Sequence, residues 1–66
     1  MIQPTQSVRI SNAELATVRE AMRELNRLLA QLEHGELEKI VLTQKNQMRA
    51  VLITIERYTE LEQRAA

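Results

Sequence analysis

Tyr58 is the only aromatic residue in this chain, and there is no cysteine. Those two facts constrain the fold more than any motif does. A domain of ~60 residues hides only about 60% of the surface its unfolded chain exposes. Large aromatic side chains, disulfides and thiolate metal sites are the usual remedies, and the 66 residues here have almost none of them. Association is the remaining route to a sufficient core, so the composition predicts a dimer. The missing cysteines also fit a reducing compartment. Met1 to Gln6 shows no basic stretch followed by an apolar run, so no signal peptide is expected. The longest apolar run, Ala50 to Ile53, is far shorter than the ~20 residues that span a bilayer. A cytoplasmic protein is expected, away from membranes.

Local patterns predict one α+β domain over 1–66. Met1 to Thr5, with the only proline, reads as a lead-in. Gln6 to Ile10 alternates, Val8 and Ile10 against Ser7 and Arg9, as a short half-buried strand does. Ser11-x-x-Glu14 reads as a capping box opening a helix. Leu15, Val18, Met22, Leu25, Leu28, Leu29 and Leu32 follow at spacings of three and four. At 100° per residue they form an arc of about 140°, a core-facing stripe. His34 and Gly35 end this helix of about 22 residues, or two helices with a bend between them. Lys39–Thr43 and Arg49–Ile55 are rich in β-branched residues and read as a hairpin. The link is Gln44 to Met48, with Asn46 able to take a positive φ. Ala50 to Ile53 is apolar on both faces, so the helix should cover one face and a partner subunit the other face or the adjoining edge. Thr54 then caps a last helix, about 55–64, with Ile55, Tyr58 and Leu61 on one side.

Nine basic and nine acidic residues cancel, so any affinity for nucleic acid must come from local clusters. Catalysis has little to stand on: the single histidine, His34, has no aspartate to orient it, and the serines and threonines read as strand, cap and turn residues. No enzyme, metal or cofactor is expected. Arg19, Arg23 and Arg27 recur every four residues, but Glu20 and Glu24 between them suit an ordinary solvated helix face. Arg9 beside the Ser11–Asn12 helix start reads as a phosphate site or as a surface arginine next to a cap. Lys45, Asn46 and Arg49 make a basic hairpin tip, a weaker signal because hairpin tips are usually polar.

From Leu25 to Glu62 the chain resembles the Phd/YefM (prevent-host-death) antitoxins. Leu25, Leu28 and Leu29 match the helix signature, and Gly35-Glu36 the corner after it. Ile40 to Thr43 and Ala50-Val51-Leu52 match the two strands, and Thr54-Ile55-Glu56-Arg57-Tyr58 the last cap. The resemblance implies a homodimer formed through the sheet region that binds a palindromic operator, represses its own operon and neutralises a cognate toxin. It implies that Arg9, Ser11 and Asn12 face DNA, with Lys45 and Arg49 as further backbone contacts. Tyr58 and Leu61 would anchor the last helix, where toxin contacts begin. Three departures stand out. The helix before Gly35 is about two turns longer than the family pattern, leaving Arg19 and Arg23 without a counterpart. Asn46 replaces the usual turn glycine and Gln44-Lys45 the usual arginine pair. The chain also ends at Ala66, where the toxin-binding tail would start, so that tail is expected to be truncated or lost, or neutralisation to work differently. Two other readings stand beside this one: a dimeric protein-interaction module without DNA binding, and a ribbon–helix–helix repressor, which has no place for the hairpin from Lys39 to Ile55.

Overall fold

Two boxes of the form S/T-x-x-E follow each other near the start of the chain, and they open different structures. The computed structural model describes residues 10–65. In it Ser11 and Glu14 close only a 3-10 turn, Asn12–Glu14. The Ser11 N–H donates to the Glu14 carboxylate at 3.0 Å, and the Glu14 N–H to the Ser11 carbonyl at 2.9 Å. Strand β1 follows at Leu15–Thr17. The first α-helix starts at the second box: the Thr17 hydroxyl accepts from the Glu20 N–H and the Glu20 carboxylate from the Thr17 N–H, both at 3.0 Å. This satisfies two orphan donors of α1, Val18–Arg23.

The first half of the chain therefore departs from the expected order. The strand falls at Leu15–Thr17; the one expected at Gln6 to Ile10 lies outside the described residues apart from Ile10, which is not in a strand. Of the two arrangements expected for the helical stretch, one long helix or two with a bend, the structure has two. The first starts at Val18 rather than just after Ser11. Glu24, at φ −120° and ψ 25°, separates α1 from α2, Leu25–Glu33. That break resets the helical phase and splits the expected stripe. Leu28 and Leu32 face the core, and in α1 it is Ala21 that does so. Met22, by contrast, is 75% exposed, and Leu25 and Leu29 also remain at the surface.

The end of α2 matches its sequence signals. Gly35 takes φ 79°, its N–H donates to the Leu32 carbonyl at 3.2 Å, and the Glu36 N–H donates to the Gln31 carbonyl at 2.9 Å. This is a Schellman motif with glycine at the left-handed position.

Strands β2, Ile40–Gln44, and β3, Gln47–Leu52, form the expected hairpin. Its link is two residues rather than five: Lys45 and Asn46, at φ 53° and 62°, make a tight turn of the kind that matches strand twist. The register steps between Leu42 and Thr43, which pair with Ala50 and Met48, so Arg49 is the extra residue of a bulge. Strand β1 pairs in parallel with β2, Leu15 opposite Val41 and Thr17 opposite Thr43. A parallel pair needs a long crossover, and α1 and α2 supply it. The result is a three-stranded mixed sheet in the order β1-β2-β3.

The two faces of this sheet differ. Ala16 and Ile40 pack with Ala21, Leu28 and Leu32, and Leu37, Leu42 and Leu52 pack against that cluster. By alternation, Leu15, Val41, Thr43, Met48 and Val51 point the other way. Val41 is fully buried there, but Leu15, Met48 and Val51 are about half exposed. Helix α3, Ile55–Ala65, begins where expected: the Thr54 hydroxyl accepts from the Arg57 N–H at 3.1 Å. None of its residues is buried. Among the described residues no helix is long and apolar enough to cross a membrane.

Candidate nucleic-acid and partner-binding surfaces

Because β1 and β2 run parallel, the sheet has a start, at Leu15 and Val41, and a tip, at Thr17, Thr43 and the Lys45–Asn46 turn. This direction sorts the site residues. Ser11 and Asn12 are exposed and lie before β1, at the start. Lys39 confirms that placement, since its ammonium meets the Glu14 carboxylate at 3.3 Å. Lys45 and Arg49 are exposed at the opposite end. The two groups are therefore not brought together within one chain. Arg9 lies outside the described residues.

The Ser11 turn also differs chemically from the expected phosphate site. A long helix starting there would offer free amides and a dipole. The 3-10 turn has three residues, and the Ser11 amide is already bound to Glu14. Accepting from that amide holds the Glu14 carboxyl below its ordinary range, and Lys39 lowers it further against partial desolvation. A carboxylate thus occupies the position where an incoming phosphate would bind. Any contact from this region falls to the exposed side chains of Ser11 and Asn12.

The tip is more open to an anion. The Arg49 guanidinium donates to the Gln44 side-chain oxygen at 2.6 Å, a neutral partner that orients it without cancelling its charge. Lys45 projects from the turn itself, and Arg19 and Arg23 are exposed on α1, which leaves the same end of the sheet. The sequence reading placed the arginine ridge on a solvated face, and for Arg27 the structure agrees, since it pairs with Glu24 one turn back. The signal that would have separated Arg19 from Arg27 is the second capping box at Thr17, which fixes where the helix starts.

The residues expected to meet a protein partner lie among exposed apolar side chains. Tyr58 and Leu61 stand half exposed on α3, and Ile55 is 74% exposed beside them. Leu29 and Ile55 border one depression of 380 Å³ with Leu32 and Ile53, so the outer ridge of α2 continues onto α3. Among the described residues no group of three or more His, Cys, Asp or Glu is placed to hold a metal ion.

No family model matches the chain, and neither the curated proteins nor the solved structures contain a match.

Proposed function

We propose that the chain is a homodimeric, DNA-binding antitoxin of the Phd/YefM kind, which represses transcription from its own promoter and also holds a toxin protein. The observation that carries the reading is how much apolar side chain stays at the surface. Leu15, Met48 and Val51 on the sheet, Met22, Leu25 and Leu29 on the crossover, and Ile55, Tyr58 and Leu61 on α3 are all at least 36% exposed. Scattered apolar residues need no explanation, but contiguous stripes on a chain this small mark protein partners. Two of these three sets, the sheet face and α3 with the adjoining Leu29, match the two protein partners an antitoxin has. The sheet face suits a second copy, and among the described residues β3 is also an edge strand of that sheet. The amphipathic α3 suits the toxin, as a helix laid into a groove.

A dimer doubles every phosphate contact, which lets a chain of zero net charge bind DNA. The test is retardation of a palindromic duplex from the chain's own promoter at about 50 mM salt. Retardation by the full chain supports the repressor reading. Migration unchanged at micromolar protein excludes it, and favours an interaction module that uses the same apolar surfaces without DNA. The separation of Ser11 and Asn12 from Lys45 and Arg49 is the observation on that second side.

A further inference from the structure

Net neutrality conceals a separation of charge along the sheet. Four carboxylates, Glu36, Glu38, Glu56 and Glu60, border one depression of 500 Å³ where the Gly35 corner meets the first turns of α3. Glu14 lies at the same end, and the cations there are neutralised: Lys39 by Glu14 and Glu38, Arg57 by Glu60. At the tip the balance reverses. No described residue forms an ion pair with Arg19, Arg23, Lys45 or Arg49. Two glutamates lie on the same helical stretch: Glu20 caps Thr17 and also feels the charge of Arg23, and Glu24 pairs with Arg27.

Register and alternation bring these cations to one corner. Thr17 pairs with Thr43; Arg19 follows the first by two residues and Lys45 follows the second by two. Adjacent strands lie about 4.8 Å apart and a helix rises about 1.5 Å per residue, so both residues sit close to the same edge. Leu42 packs on the helix-covered side, and Gln44, two residues on, points the same way. Arg49 bonds to Gln44 and is therefore drawn toward the side that α1 covers. Ala21 faces the core, so Arg19 and Arg23, two residues to either side, face outward from that same layer.

We propose that Arg19, with Lys45 and Arg49, forms the surface that binds DNA backbone phosphates, and that Arg19 does so through charge rather than through an ion pair on its own helix. This rests on the DNA-binding reading above, and it moves the main contact from the Ser11 turn to the hairpin tip. A point charge and two guanidinium forks that no described carboxylate pairs with are what backbone phosphates require.

The experiment titrates a fluorescein-labelled promoter duplex with the full chain between 50 and 200 mM salt, following anisotropy. The chains compared are native, Arg19→Ala, Arg19→Lys and Arg27→Ala, with folding checked by circular dichroism. Each lost phosphate contact lowers the slope of log K against log salt by about 0.9. In a dimer Arg19→Ala should therefore lower it by about 2, while Arg19→Lys and Arg27→Ala keep the native slope. Arg19→Ala with the native slope, or Arg27→Ala with an equal loss, overturns the assignment and leaves the DNA-binding reading standing. A native chain that fails to bind the duplex overturns both.

Discussion

Lys45 occupies φ 53°, a left-handed conformation that glycine and asparagine adopt readily and lysine does not. Asn46 beside it suits the turn, so the poor fit is confined to one residue. A cation kept at a disfavoured position is what a surface contact would preserve. Lys45→Asn should therefore raise stability by about 0.5–1 kcal/mol, because asparagine tolerates the region. The same change should weaken DNA binding. Denaturant melts and the duplex titration check the two arms, and loss of stability would show that the turn is not strained. Glu14 makes a separate prediction. Its carboxyl is held below the usual 4.5, first by the Ser11 amide and then by Lys39. A group depressed in the folded state adds stability above its unfolded value and loses it as pH falls through the folded one. Thermal melts should thus fall in midpoint below about pH 4.5, and Glu14→Gln should flatten that fall while lowering the midpoint at pH 7.

Among the elements, α3 is the one that the body of the protein holds least. None of its residues is buried, and its start is fixed by the Thr54 cap rather than by packing. Tyr58→Ala should change stability by less than about 0.5 kcal/mol, as surface substitutions do. If α3 is the toxin-binding helix, the same substitution should weaken complex formation at least tenfold in a pull-down with the toxin. A large stability loss would instead mean that α3 is folded onto the body. The hairpin, the glycine corner and this last cap were legible because each rests on signals within a few residues. The first half was not. Leu15-Ala16-Thr17 continues a helical spacing, so periodicity alone hides a three-residue strand. Only pairing with β2, some 26 residues away, makes it one. Met22 falls on the apolar stripe only if the stripe runs unbroken through Glu24, where the helix breaks. Of the site residues, Lys45 and Arg49 could be placed from the hairpin, whereas Arg19 needed the parallel register.

At the scale of the whole molecule, the fold is a plate. Its extents are 34 × 31 × 16 Å, and its radius of gyration is 12.5 Å, against about 11 Å for a compact chain of this length. A thin plate with one sheet face half exposed has more surface than its core can justify, and a second copy laid on that face would supply the missing layer. Leu15, Met48 and Val51 are the residues such a copy would cover, around the already buried Val41. Val51 offers a clean probe because it is half exposed in the single chain. Val51→Lys should leave the fold intact yet place an unpaired charge in the interface, which is costly. Sedimentation equilibrium at micromolar concentration, on the native chain and on Val51→Lys, tests this directly. A dimer built on this face requires twice the chain mass for the native protein, and the single-chain mass with an unchanged circular dichroism spectrum for the variant. A native chain that is well folded at single mass would contradict it.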